Sequence, residues 1–166
     1  IELKELAEYL NDEDLLIRSG KVIKNEEGHL VVQLKMKGKT FYIKKYRIKN
    51  LFHGISRVFK RTRAYNSCLS TLWLNAAGIQ TAKILLFLEK KGFLGTRDSF
   101  LVTEGIEGER LDKFLESNAG YDVSPNVEAF FKRMNWIRFS HGDTKTSNFF
   151  FNDKGLITFD LDSSKR

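Results

Sequence analysis

Two stretches of alternating side chains joined by a lysine–glycine turn set the first constraint on the fold. Leu30-Val31-Val32-Gln33-Leu34-Lys35-Met36 and Thr40-Phe41-Tyr42-Ile43-Lys44-Lys45-Tyr46 flank Lys37-Gly38-Lys39. Period-two runs rich in β-branched and aromatic residues read as strands, and a short Gly-containing turn makes them a hairpin. A second turn at Asn25-Glu26-Glu27-Gly28 extends the prediction to a three-stranded meander over 20–46. Ahead of it, the acidic, Leu-rich residues 1–19 are predicted as a short helix and a lead-in strand.

The period then changes. Tyr65, Cys68, Leu69, Leu72, Trp73 and Ala76 recur at helical spacing, which predicts a helix over 62–77 with these residues on its apolar face and Gly78 as its stop. Ile84–Leu88 and Ser99–Thr103 read as buried strands, and Glu104-Gly105-Ile106-Glu107-Gly108 as a connector. Leu111–Ser117 reads as a short helix. Ser124-Pro125 reads as a cap followed by an N1 proline, opening a helix whose apolar face is Val127, Phe130, Phe131 and Met134. Phe149-Phe150-Phe151 and Leu156–Phe159 flank an Asn152-Asp153-Lys154-Gly155 turn as a last hairpin. A meander followed by helices and a separate hairpin predicts an α+β fold in two lobes, residues 1–104 and 105–166.

Composition narrows the function classes. One cysteine, Cys68, excludes an intrachain disulfide framework, and three scattered histidines argue against zinc. No run approaches the ~18 apolar residues of a membrane span. The acidic start and single cysteine fit a reducing, cytoplasmic setting. Net charge is +7, but it is polarised. From Gly28 to Leu88 there are 12 Lys/Arg and no acid, whereas the remainder holds 16 basic and 21 acidic residues. Such a field suits a nucleic acid, an anionic membrane surface or a phosphorylated substrate.

The stretch richest in chemistry is Ser140-His141-Gly142-Asp143-Thr144-Lys145-Thr146-Ser147-Asn148, placed on a loop between a helix and the last hairpin. Asp160 ends that hairpin, with Asp162 two residues on. Phosphoryl transfer needs such a set: a carboxylate to orient or deprotonate the attacking hydroxyl, a lysine to offset charge, and oxygen ligands for Mg²⁺.

His-x-Asp-x-Lys-x-x-Asn followed by a hairpin and Asp160 resembles the catalytic and metal loops of the protein-kinase-like fold. The wording "SHGDTKTSNFFF…LITFDLD" is similar to bacterial lipopolysaccharide kinases, which phosphorylate heptose or Kdo sugars of the lipopolysaccharide core. "TFYIKKYR", "RTRAYNS…NAAGIQT" and "SFLVTEGIEGERL" resemble that family in the same order, over about residues 20–162. The resemblance implies an ATP- and Mg²⁺-dependent enzyme with a β-rich N-terminal lobe and a shortened, mainly helical C-terminal lobe. It implies Asp143 as catalytic base, Lys145 on the transferred phosphate, His141 stabilising the loop, and Asn148 and Asp160 on Mg²⁺. Asp162 would be a second metal helper or a structural cap. The backbone of Glu104 to Ile106 would hold adenine, and Lys44 would reach the ATP phosphates.

Strand alternation lets only one of Lys44 and Lys45 face the nucleotide, and the Tyr-Ile-Lys spacing favours Lys44. Gly142 stands where protein kinases commonly have Arg, Ser67 where the helix carries a Glu, and Asp162 where a Gly follows the metal Asp. No Gly-x-Gly-x-x-Gly loop is present, so residues 25–28 are the candidate phosphate cover. The basic segment 44–63 interleaves eight Lys/Arg with Phe52, Ile55, Val58 and Phe59. It suits peripheral contact with the cytoplasmic face of the inner membrane, and an anionic glycolipid acceptor rather than nucleic acid. A non-catalytic nucleotide-binding module and another small-molecule kinase are the competing expectations.

Overall fold

The computed structural model describes residues 3–47, 61–92 and 95–165. It divides into two compact units, residues 1–65 with 84–105, and 66–83 with 106–166.

The first unit is built on a five-stranded antiparallel sheet. Its strands are β1 (Lys21–Glu26), β2 (His29–Met36), β3 (Lys39–Tyr46), β4 (Ile84–Gly92) and β5 (Gly95–Glu104), in the order β1-β2-β3-β5-β4. The predicted meander is present, and β2 pairs with β3 from His29↔Tyr46 to Met36↔Lys39 without a break. Lys37 and Gly38 both take positive φ, 50° and 75°. Two consecutive positive φ values match the twist of a two-residue hairpin and explain why glycine occupies the second site.

Two helices, α1 (Leu3–Asn11) and α2 (Glu13–Ser19), precede the sheet. Where a lead-in strand is expected within residues 1–19, a second helix is present. Asp12 decides this locally: its carboxylate accepts the Leu15 amide at 2.9 Å, satisfying one of the free donors of the first turn. Leu6, Leu10 and Leu16 then bury against Leu30, Val32 and Leu34 of β2, Ile43 of β3, and Phe100 and Val102 of β5. β5 lies inside the sheet, and residues 99–102 are buried. β4 is an edge strand, so residues 84–90 are half-buried rather than buried as predicted.

The second unit packs α4 (Leu111–Ser117) and α5 (Ser124–Trp136) on a three-stranded sheet. That sheet joins β6 (Glu109–Arg110), β7 (Phe149–Asn152) and β8 (Gly155–Thr158). Phe130 and Met134 from α5, Phe149 and Phe151 from β7, and Leu156 and Leu161 form its core. Ser124 is already helical, with Val123 at the cap position, so the helix begins one residue earlier than the Ser-Pro reading expects.

The helix α3 (Arg63–Ala76) departs most from its pattern. Leu72 and Trp73 are 58% and 47% exposed, whereas Ala64, Ser67, Ser70, Thr71 and Leu74 are buried. The buried stripe therefore mixes Ala64 and Leu74 with three hydroxyl side chains, and omits the predicted Leu72 and Trp73. Ser70 Oγ lies 2.7 Å from Ser164 Oγ, and no hydroxyl of α3 is buried without a partner. A hydrogen-bonded hydroxyl buries at little cost, which hydrophobic periodicity does not register.

Candidate phosphoryl-transfer site

The loop from Ser140 to Asn148 is held at both ends by backbone. Ser140 and Lys165 exchange two hydrogen bonds, the Ser140 amide to the Lys165 carbonyl at 2.8 Å and the reverse at 2.9 Å. A 3₁₀ turn at Thr146–Asn148 closes the loop into β7. Between them, Gly142 adopts φ 82°, and a Cβ there would overlap the Ser163 carbonyl group, whose carbon would lie 2.7 Å away. Glycine is required by both its backbone angle and the close approach. Beyond replacing an arginine, Gly142 marks a left-handed position, a signal that a glycine carries in the sequence itself.

His141 joins the two loops. It is 1% exposed. Its Nδ1 accepts the Asp143 amide at 3.3 Å, so the proton sits on Nε2, which donates to the Phe159 carbonyl at 3.0 Å. Desolvation by burial lowers its pKa, outweighing the bond to Phe159 and the nearby carboxylates Asp160 and Asp143. Uncharged, it fastens the backbone of Asp143 to the residue before Asp160.

Asp143 and Lys145 form an ion pair at 3.0 Å. The Lys145 hydrogen bond is the main reason the Asp143 carboxyl titrates below its ordinary range, with Asn148 adding to it. An ionised carboxylate with an adjacent ammonium meets the requirements of a base that must not be protonated at neutral pH. Asn148, 8% exposed, donates its amide nitrogen to the Asp143 carbonyl at 3.0 Å. That fixes its side chain and leaves Oδ1 as an acceptor. The Asn148 carbonyl in turn accepts the Phe159 amide at 3.2 Å. Asp160 follows in the left-handed region, at φ 61° and ψ 55°, which Asp tolerates better than most non-glycine residues.

Asn148 carries an amide oxygen and Asp160 a carboxylate, the hard donors Mg²⁺ prefers. Among the described residues no three His, Cys, Asp or Glu side chains form a metal cluster. Mg²⁺ in phosphoryl-transfer sites is bound by one or two carboxylates together with phosphates and water, so the pair fits that ion. Thus Asp143, Lys145, Asn148 and Asp160 lie together in the second unit, with Ile106 at its start and Asp162 in the 3₁₀ turn after Asp160.

Lys44 and Glu104 belong to the first unit. Glu104 ends β5 opposite Phe41, and the next amide, Gly105, donates to the Thr40 carbonyl at 2.7 Å. In β3, Lys44 pairs with Val31 on one side and Leu101 on the other. Lys45 shares the face of Ile43. Its Nζ lies 2.6 Å from Glu13 and 3.1 Å from Asp98, and 5.5 Å from the centre of the Phe100 ring. Arg47 pairs with the other oxygen of Glu13. Lys45 is therefore committed to fastening α2 to the sheet, and Lys44 projects from the opposite face. Residues 48–60 of the basic segment lie outside the described residues.

The fold is kinase-like. A solved structure of WaaP in complex with acyl carrier protein matches with a TM-score of 0.63 at 19% identity, covering 88% of this chain and 62% of that one. A co-crystal structure of WbdD and the kinase inhibitor LY294002 matches with a TM-score of 0.56 at 12% identity, covering 85% of this chain and 32% of that one. The chain thus spans less than two thirds of the length of either. No curated protein sequence matches it. A family model described as the lipopolysaccharide kinase (Kdo/WaaP) family matches residues 13–166. With a match across nearly its whole length, the chain belongs to the lipopolysaccharide kinase (Kdo/WaaP) family.

Proposed function

We propose that this protein transfers the γ-phosphoryl group of ATP to a sugar hydroxyl, on heptose or Kdo, of the lipopolysaccharide core. The observation that carries this reading is the His141 bridge, which holds the Asp143 loop and the Asp160 loop as one piece. In this reading the Asp143 carboxylate orients the acceptor hydroxyl and accepts its proton. Lys145 offsets charge on the moving phosphoryl group, and Asn148 and Asp160 hold Mg²⁺. Lys44 contacts the nucleotide phosphates, and the backbone of Glu104 to Ile106 receives adenine. Catalysis is then mainly positioning and electrostatic stabilisation. Phosphate incorporation into heptose-containing and Kdo-containing cores, each lacking its phosphate, tests the reading. Transfer to neither core would reject the acceptor class.

The acceptor is an anionic glycolipid, and the basic segment 44–63 suits peripheral contact with the cytoplasmic face of the inner membrane. No described helix is long and apolar enough to cross a membrane. Reversing Arg57, Lys60 and Arg61 to Glu should abolish binding to anionic vesicles, and unchanged binding would reject the contact.

A non-catalytic nucleotide-binding module is favoured by one observation, the absence of any carboxylate on the buried stripe of α3, where Ser67 stands. The two readings separate on turnover. Both predict thermal stabilisation by ATP, but only the kinase predicts phosphate release or transfer.

A further inference from the structure

The second unit contains a pocket of about 600 Å³ at the β7–β8 turn, walled by the segment 107–109 and by residues of α4 and α5. It is distinct from the Asp143 loop. Phe150 and Phe151 alternate across β7, and Phe150 packs on Phe159, 5.5 Å between ring centres, beside Asp160. The pocket takes the Phe151 side.

Its floor is an aromatic corner. Phe114, Tyr121 and Phe151 meet with ring centres 4.6 to 5.6 Å apart and planes inclined at 45° to 85°. The rings pack edge to face on one another, which leaves Tyr121 as the exposed aromatic surface of the corner. Phe151 is buried, whereas Tyr121 is 53% exposed, so the corner is anchored below and open above. Three acidic residues, Glu107, Glu109 and Asp153, line it against a single basic one, Lys154. This follows the acidic balance of the chain outside Gly28–Leu88. The Asn126 side chain adds a carboxamide to the wall, 3.4 Å from where a side chain on Gly155 would begin.

We propose that this pocket binds an organic ammonium cation, its head group in the aromatic corner and its charge balanced by Glu107, Glu109 and Asp153. Aromatic faces attract an alkylated ammonium through the ring quadrupole, and surrounding carboxylates supply the long-range attraction. An anion would meet three like charges. A neutral apolar ligand would gain the rings but leave the carboxylates without a counter-charge. The volume lies within the range of small-molecule sites, so it admits a cation carrying a substantial body. The inference does not depend on the phosphotransfer reading.

Matched probes test it: choline and its uncharged isostere 3,3-dimethylbutan-1-ol, titrated into the full chain and followed by amide NMR. Choline should give saturable shifts at residues 107–121 and 151–155 and bind at least tenfold more tightly than the alcohol. Tyr121→Ala should weaken choline at least fivefold and Tyr121→Phe should restore it. The triple variant Glu107→Gln, Glu109→Gln, Asp153→Asn should also weaken choline at least fivefold and flatten its salt dependence. It carries the test if Tyr121→Ala fails to fold. Equal affinity for choline and the alcohol, shifts centred elsewhere, or affinity unchanged in the folded variants would overturn the proposal.

Discussion

The His141 imidazole donates to the Phe159 carbonyl, 18 residues away, at a distance of 3.0 Å. Through this bond the loop bearing Asp143 and the turn bearing Asp160 move as one element. The bond exists in this form only while Nδ1 is unprotonated and accepts the Asp143 amide. The site therefore contains its own acid sensitivity.

The folded-state pKa of His141 lies below its ordinary value of 6.5, chiefly because burial disfavours the cation. As pH falls through that value the unfolded chain binds a proton before the folded one does, so stability declines below about pH 6.5. The decline stops once the folded pKa is also passed. Above about pH 7 the group contributes no slope. Urea denaturation between pH 8 and pH 5 should show this loss, and His141→Ala should remove its His141 component. The same variant should be less stable at pH 8 by about 2–3 kcal/mol, because it leaves the Phe159 carbonyl and the Asp143 amide without their partner.

Gly142→Ala should cost roughly 3 kcal/mol, combining a left-handed backbone with overlap against Ser163. Gly38→Ala is the control. Gly38 has a similar φ of 75°, but nothing lies within 4 Å of its Cβ position. Its cost should be about 1 kcal/mol, the backbone contribution alone. Equal losses in thermal or chemical denaturation would show that the Ser163 contact is not what demands glycine.

The adjacent strand lysines should separate cleanly. Lys45→Met keeps the aliphatic stem over Phe100 but removes the bonds to Glu13 and Asp98. It should lower stability by about 1–2 kcal/mol and leave turnover per folded molecule near wild type. Lys44→Met should instead reduce phosphoryl transfer per folded molecule roughly 10²-fold. Paired denaturation and rate measurements check both, and the reverse pattern would reassign the nucleotide lysine.

Much of this architecture is legible in the residue order. Alternation gives β2 and β3, and the lysine–glycine turn joins them. The 141–148 loop is recognisable because its polar residues are close in sequence and face a common task. What escapes the sequence has a physical cause in each case. Residues 13–19 carry strand-compatible apolar residues, but the Asp12 cap selects a helix. In α3, Ser67, Ser70 and Thr71 are buried ahead of Leu72 and Trp73, and Ser70 finds a hydroxyl partner in Ser164. The commitment of Lys45 depends on Glu13, 32 residues away, and no local pattern records that distance.

In the proposed reaction the Asp143 carboxylate performs the chemistry while its neighbours hold it. The most direct measurement compares wild type with Asp143→Asn in ATP-dependent phosphorylation of a dephosphorylated lipopolysaccharide core, with nucleotide binding followed by thermal shift. Asp143→Asn should bind ATP as wild type does and lose transfer by about 10²- to 10⁴-fold. Transfer at the wild-type rate by the folded, ATP-binding variant would contradict the account.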